Sequence, residues 1–185
     1  MFSDRTRYKG PFYIPGAPHR TVLAGPEEPG EHIVIRGRAF AADCKTRLTG
    51  VLLDVWQADA NGRYHDENEN YRLRGQMQTN DQGVYEFSSI RPGRYKLEGG
   101  FRPAHIHFTV SHPDYEPLTT QLYFKGDPYL APNDACRDAC TSHDTNRIIE
   151  LTRVAKSGKV WFEGRFDIVL KPTGSTRYRG ALHRR

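Results

Sequence analysis

Short hydrophobic runs with the two-residue period of β-strands recur along the chain, separated by turn sequences. Residues 32–40 (HIVIRGRAF) and 83–90 (GVYEFSSI) alternate between apolar and polar positions, as half-buried strands do. Turn-forming pairs such as Asn61-Gly62 and Pro92-Gly93 punctuate the runs. Repeated short strands at near-regular spacing predict an all-β sandwich with long loops. The other predicted strands are 51–59, 104–112, 119–127 and 160–170, and the one helical candidate is Asn133–Ala139.

Prolines and glycines concentrate in residues 8–30, before the first predicted strand. Proline fixes φ and has no N–H to donate, so this stretch predicts an extended arm rather than a helix or a central strand. A length of 185 residues suits one domain with a sizeable core. We therefore divide the chain into an arm (1–30), a β-sandwich that carries the chemistry (31–171) and a basic tail (172–185).

Composition and charge exclude several classes of protein. Hydrophobic residues make up 37% and aromatic residues 11%, as expected of a folded globular chain. No apolar run approaches the roughly 20 residues of a membrane helix. The net charge of +5 comes from the five cations between Lys171 and the end of the sequence, and the rest of the chain has no basic stripe with interleaved aromatics, so neither a membrane nor nucleic acid is an expected partner. The N-terminus lacks the apolar core of a secretory signal, which predicts a cytoplasmic location, although a processed secreted protein would look the same.

The three cysteines give little indication of a disulfide framework. Their count is low and odd, and a structural zinc site would need a second ligand pair besides Cys136, Cys140 and the nearby His143. We therefore predict that Cys44, Cys136 and Cys140 are ordinary thiols.

The sharpest chemical feature is Arg102-Pro103-Ala104-His105-Ile106-His107-Phe108. Alternate side chains of a strand share a face, so His105 and His107 point the same way while Ile106 and Phe108 point into apolar packing. Two imidazoles on one face suit iron, copper or zinc. The alternative is a polar face on an edge strand. An iron(II) site of two histidines and a carboxylate is disfavoured because no acid follows before Asp114.

Two of the ten tyrosines end strand-and-turn units, in Gly62-Arg63-Tyr64 and Gly93-Arg94-Tyr95. A phenolate is a hard oxygen donor, and two phenolates with two imidazoles would neutralise most of the charge of iron(III). The surrounding 81–95 segment also resembles many prealbumin-like sandwich modules, including non-enzymatic ones. It supports a prealbumin-like or immunoglobulin-like sandwich without indicating a function.

Taken together, these motifs resemble the intradiol ring-cleavage dioxygenases, the family of catechol 1,2-dioxygenase and protocatechuate 3,4-dioxygenase. The likeness covers roughly residues 10–130 and lies in 10–13, 51–64, 92–95, 102–108 and the glutamine Gln121. It implies an iron(III) cofactor with Tyr64, Tyr95, His105 and His107 as metal ligands.

The resemblance also implies catalytic roles for three side chains. Tyr95 is the ligand that leaves the metal and accepts a substrate proton, and Arg102 stabilises negative charge that develops on the substrate. Gln121 orients Arg102 or a hydroxide at the site. The implied reaction opens a catechol ring between its hydroxyls with O2, inserts both oxygen atoms and gives a cis,cis-muconate-type product.

Substrate and assembly stay open at this point. The chain is too short for the helical dimerisation region of catechol 1,2-dioxygenases, and the resemblance implies a homo-oligomer, with or without a related subunit. Arg72 and Arg74 either meet a carboxylated catechol or are solvent-exposed loop charges. The competing functions are a non-catalytic prealbumin-like binding module and, less favoured, an iron(II) extradiol enzyme.

Overall fold

Two β-sheets packed face to face form the body of the protein in this computed structural model, which describes residues 9–65, 70–156 and 159–174. The described residues form twelve strands and two short 3-10 helices, Arg137–Ala139 and Thr145–Arg147. The strands are β1 (His32–Ala41), β2 (Leu52–Gln57), β3 (Arg74–Gln78), β4 (Val84–Ile90), β5 (Tyr95–Leu97), β6 (Gly100–Arg102), β7 (His105–His112), β8 (Tyr115–Phe124), β9 (Ile148–Ile149), β10 (Thr152–Lys156), β11 (Lys159–Arg165) and β12 (Ile168–Leu170).

The first sheet is built around β1, which pairs antiparallel with β4 and parallel with β11 and β12, and β10 continues the sheet beyond β11. The second sheet runs β3-β2-β7-β8-β9, and β5 and β6 form a separate hairpin. This arrangement confirms the predicted β-sandwich.

The apolar positions of the alternating strands meet between the sheets, as their period of two requires. Ile33 and Ile35 of β1 face Leu53 and Val55 of β2, and the core also takes in Ile106, Phe108, Val110, Phe87, Leu122 and Phe124. Each of these side chains is essentially inaccessible to solvent. At about 25 cal/mol per Å2 of apolar surface removed from water, this layer supplies most of the stabilisation of the fold.

Three sequence-based predictions need correction. The run 160–170 is two strands, because the strand is interrupted at Phe166 and Asp167; the Phe166 carbonyl accepts from the hydroxyl of Tyr85 at 2.5 Å. Strand β3 was not predicted, since RGQMQ has no apolar alternation; it is held by its pairing with β2. Arg74, at its start, is buried rather than a solvent-exposed charge.

The cysteine prediction was also wrong. Cys136 and Cys140 form a disulfide, whereas Cys44 is an exposed free thiol. Disulfides persist mainly in oxidising compartments, so the cytoplasmic location stays a prediction. No described helix is long and apolar enough to span a bilayer.

The arm follows the edge of the sandwich, and its residues His19 and Val22 make isolated bridges to Gln76 and Ser88. The boundaries 1–30, 31–171 and 172–185 stay predictions. Residues 1–8, 66–69, 157–158 and the tail from 175 onward lie outside the described residues.

Candidate metal centre

His105 and His107 lie on the face of β7 that points away from the sheet-to-sheet core. Strand β7 is the central strand of the second sheet, between β2 and β8, so the alternative of an exposed edge strand does not apply. Trp56 lies opposite His107 on β2 and its ring stacks on the imidazole at a centroid distance of 4.8 Å. Although this face points away from the core, both histidines are buried: 2% of the surface of His105 and 5% of that of His107 are exposed, because the arm and the loops cover this face.

The two predicted tyrosines both lie beside these histidines. The Tyr64 hydroxyl oxygen lies 2.9 Å from His107 Nε2 and 3.4 Å from His105 Nε2. The Tyr95 ring lies 5.6 Å from the His105 ring and 5.7 Å from the Tyr64 ring, measured between centroids. The structure thus brings together all four side chains that were predicted to be ligands.

Glycines allow the two tyrosine-bearing turns to pack backbone against backbone. A Cβ on Gly62 would lie 2.0 Å from the carbonyl oxygen of Arg94, and one on Gly93 would lie 2.4 Å from that of Ala60. The Gly93 N–H donates to the Asp59 carbonyl at 2.7 Å. This close approach joins the turn before Tyr64 to the turn before Tyr95, although about 30 residues of sequence separate them.

Asp127 ties the second tyrosine to the histidine strand. Its fully buried carboxylate accepts from Arg94 Nε at 2.9 Å and from the Ala104 backbone N–H at 3.1 Å. Arg94 directly precedes Tyr95, and Ala104 directly precedes His105. One carboxylate therefore contacts the residue directly before each of two predicted metal ligands. No sequence motif had singled it out.

Burial keeps both imidazoles neutral. Loss of hydration, with the nearby Arg102, lowers the pKa of His105 to about 3, and burial together with His105 holds the pKa of His107 well below its usual value. The Nδ1–H of His105 donates to the Pro103 carbonyl at 2.7 Å, which leaves the lone pair on Nε2, toward Tyr64. Neutral imidazole with a free Nε2 is the form that binds metals.

The phenol of Tyr64 fits a cation at this point. Burial raises the pKa of Tyr64 far above that of free tyrosine, so its phenolate forms only if a strong positive charge arrives beside it. Described His, Cys, Asp and Glu side chains nowhere cluster in threes, so the oxygen donors here are phenolic. Two neutral nitrogens with two hard phenolic oxygens match a trivalent ion.

Arg102 and Gln121 lie beside the four side chains, as predicted. One terminal nitrogen of Arg102 donates to Gln121 Oε1 and to the Tyr123 hydroxyl, both at 3.1 Å. Gln121 Nε2 lies 3.3 Å from His107 Nδ1. Gln121 therefore links the arginine to a predicted ligand.

Sequence reasoning missed Tyr123 and Asp134. Tyr123 also donates to Gln121 Oε1, and its two-residue spacing from Gln121 on β8 was a usable signal. Asp134 forms an ion pair with Arg102 at 3.2 Å in which both side chains are almost fully buried. It comes from a distant loop, so nothing in the local sequence marks it. Burial lowers the pKa of Arg102, but Tyr123, Tyr95 and Asp134 outweigh that effect and raise it, so the guanidinium stays charged.

A cavity of about 380 Å3 opens onto this cluster. Its wall includes Tyr95, Arg102, His107 and Gln121, together with Lys9–Phe12 of the arm and the disulfide. Arg72 instead pairs with Glu28 at 2.6 Å, and Arg74 donates to the His65 carbonyl at 3.2 Å. Neither arginine lines this cavity. A larger cleft of about 460 Å3 on the first sheet has no histidine or tyrosine among its described lining residues.

The chain is similar to known proteins over most of its length. A family model described as dioxygenase matches residues 8–172. The chain is 30% identical to a chlorocatechol 1,2-dioxygenase of Rhodococcus opacus, over 88% of this chain and 70% of the relative. It is 38% identical to catechol 1,2-dioxygenase 2 of Acinetobacter lwoffii, over 66% of this chain and about half (51%) of the relative.

A solved structure is similar over nearly its whole length. It is the dioxygenase domain of a dioxygenase carbohydrate-binding protein fusion from Streptomyces sp. SirexAA-E, 34% identical, with a TM-score of 0.73 over 88% of this chain and 94% of that one. The family match spans most of the chain, and curated relatives at 30% identity or more share it. The chain belongs to the intradiol ring-cleavage dioxygenase family.

Proposed function

We propose that the protein is an iron(III)-dependent intradiol dioxygenase that opens the ring of a catechol between its hydroxyls with O2. The product would be a cis,cis-muconate-type dicarboxylate carrying both oxygen atoms. The observation that carries the proposal is the grouping of Tyr64, Tyr95, His105 and His107, in which the Tyr64 hydroxyl faces both histidine Nε2 atoms and the Tyr95 ring lies beside His105 and Tyr64. Membership in the family supports the reaction class.

The four side chains would hold the metal through two phenolic oxygens and two imidazole nitrogens. Bound iron(III) would supply Lewis acidity and a template for the catechol. The chain contributes a buried setting in which the histidines are already neutral and Tyr64 is clamped by stacking on Phe12 at 4.2 Å. Little reorganisation is then needed at the moment of reaction.

The two tyrosines differ in a way that supports the role proposed for Tyr95. Tyr64 is 8% exposed and does not line the cavity, whereas Tyr95 is only partly buried and forms part of its wall. A substrate hydroxyl that enters the cavity would therefore reach Tyr95 before Tyr64. Tyr95 would accept a proton there as a general base.

Arg102 would place a fixed positive charge beside the reacting ring. Its Nε and Nη2 donate to Asp134, and Nη2 also donates to Gln121 and Tyr123, yet Arg102 forms part of the cavity wall. A preorganised cation at a buried site stabilises negative charge that develops on the substrate. Gln121, which contacts both Arg102 and His107, would hold the guanidinium at a fixed position relative to His107.

The cavity favours a single aromatic ring that carries an acidic substituent. Its volume lies at the small end of ligand pockets, which span about 300–1,000 Å3. The charged side chains that the structure describes in its wall are Lys9, Arg102 and Arg147, without a carboxylate. We therefore propose a carboxylated catechol as the better substrate. A homo-oligomer, with or without a related subunit, is the assembly that we propose, with no nucleic acid or membrane partner.

Purified protein loaded with iron, then mixed under air with catechol or with protocatechuate, tests the function. We expect a visible absorption band from tyrosinate bound to iron(III), a muconate-type product, and equal consumption of O2 and substrate, faster with protocatechuate. Iron-loaded protein that converts neither compound would favour the rival non-catalytic binding module. A yellow semialdehyde would instead indicate extradiol cleavage.

A further inference from the structure

The segment 134–141, here called the wall segment, forms one side of the substrate cavity and carries the disulfide. Cys136, Ala139, Cys140 and Thr141 all line the cavity. The mechanism assigns no task to the two cysteines, although both sulfur-bearing residues lie within the wall of the site.

Each end of the wall segment is bound to a different side chain of the site. At the first end, the Asp134 carboxylate pairs with Arg102 and accepts from the Cys136 N–H at 2.9 Å. At the other end, the Thr141 side chain lies beside the Tyr123 phenol, and its Oγ1 accepts from Arg147 Nη1 at 3.0 Å. Because Tyr123 and Arg102 contact each other, the two ends of the wall segment act on one hydrogen-bonded group.

The other interactions of the wall segment are hydrogen bonds, such as Ala135 N–H to the Phe101 carbonyl at 3.1 Å and Arg147 Nη1 to Thr141 Oγ1 at 3.0 Å, and not apolar packing in the core. Its regular structure is a single 3-10 turn, Arg137–Ala139, and Arg137 has a φ of 51°, which is unfavourable for a residue with a side chain. No residue of 134–141 belongs to the hydrophobic core between the sheets. A strained loop with little apolar burial opens readily unless a cross-link restrains it.

We propose that the Cys136–Cys140 disulfide is a positioning element of the active site, which holds Asp134 and Thr141 at the spacing that keeps Arg102 and Tyr123 in place. The catalytic part of this inference rests on the proposed function, and the structural part does not. Removal of the cross-link should let Asp134 move away from Arg102. The guanidinium would then lose its fixed orientation beside the cavity while the four predicted metal ligands keep theirs.

The Cys136→Ser/Cys140→Ser double variant and wild-type protein treated with dithiothreitol both test the proposal. In the second case the two thiols of dithiothreitol pass two electrons and two protons to the disulfide, which yields two cysteine thiols and cyclic oxidised dithiothreitol. Cys44→Ser is the matched control, because Cys44 is exposed and unpaired. Reduction is reversible, so it also covers the case in which the double variant folds poorly.

The first readout is independent of metal and of turnover. Phenylglyoxal modifies accessible arginines, and peptide mass spectrometry gives the rate at each position. We expect Arg102, which is 3% exposed, to react at least about fivefold faster once the disulfide is lost. The exposed Arg153 on β10 should react at an unchanged rate. An unchanged rate at Arg102 would overturn the proposal, even if the protein had no dioxygenase activity.

The second readout is the turnover of iron-loaded protein. We expect kcat to fall about tenfold or more while bound iron and the visible band are retained, with recovery after reoxidation, because small misplacements of a catalytic group are costly. Full activity without the disulfide would contradict the proposal. If untreated wild type turns over no catechol, the proposed function fails, and the labelling result still decides the positioning role.

Discussion

The two faces of strand β7 show how one element serves both the fold and the site. Toward the first sheet, Ile106, Phe108 and Val110 are completely buried in the core. On the opposite face, His105 and His107 are almost as deeply buried, but among polar and aromatic side chains. The same strand therefore carries a stabilising face and a face whose burial costs free energy.

Burial of the second face therefore depends on hydrogen-bond partners and on covering segments, which the core face does not need. The imidazoles and the phenol lose their hydrogen bonds to water there. Hydrogen bonds to partners such as Pro103 and Gln121 replace part of them. The cover comes from the arm, where Phe12 stacks on Tyr64, and from the wall segment. Changes on the core face should therefore affect stability first, and changes on the site face should affect metal binding first.

The largest effect on stability is expected for Phe108→Ala. Loss of a fully buried aromatic ring and the cavity left behind should lower the free energy of unfolding by about 3–5 kcal/mol. The folded fraction should still bind iron at the wild-type ratio, which metal analysis of the native protein checks. Urea unfolding gives the stability, and Val169→Ala at an exposed position of β12 is the control. Equal losses in the two variants would remove the distinction between core and surface.

In contrast to Phe108→Ala, His105→Ala should affect metal binding first. Without one of the two imidazoles, affinity for iron should fall by more than about 100-fold, and the visible band should disappear. The control is His112→Ala, on the same strand but outside the cluster. Elemental analysis and titration with iron measure the change. A His105→Ala protein with full iron content would exclude this residue as a ligand.

Gly62→Ala should have a smaller effect on stability than the core variant, through the contact between the two tyrosine turns. Its Cβ would overlap the Arg94 carbonyl, so we expect a loss about 1–3 kcal/mol larger than that of Gly50→Ala. Gly50 also has a positive φ, 65° against 81°, but open space around it, so the pair separates steric contact from backbone strain. Urea unfolding of both variants provides the comparison. Equal losses would show that the turns do not depend on this contact.

Much of the fold and of the site was predictable because the signals are local. Alternation in 32–40 and 83–90 identified β1 and β4, and the same period of two placed His105 and His107 on one face. Strand β3 gave no such signal, because RGQMQ owes its conformation to pairing with β2 and to the bridge from His19 of the arm. Elements that depend on a partner strand cannot be read from their own residues.

The candidate site divides in the same way. The flanking motifs of Tyr64, Tyr95, Arg102 and Gln121 identified these side chains, and the structure gathers them. Asp127, Asp134 and the disulfide were missed or misjudged. Each acts across a long sequence separation or within a loop without regular structure, so local pattern carries no information about its partner.

The sequence by itself determined the strand periods, the chemistry of the donor atoms and the turns in which the tyrosines lie. These follow from bonded geometry and from the polarity of neighbouring residues, which act over a few positions. Only the tertiary structure decided which sheet face became the site, what covers it and which carboxylates hold Arg94 and Arg102. Those outcomes depend on burial and on charge pairing between distant segments, which exist only once the two sheets have packed.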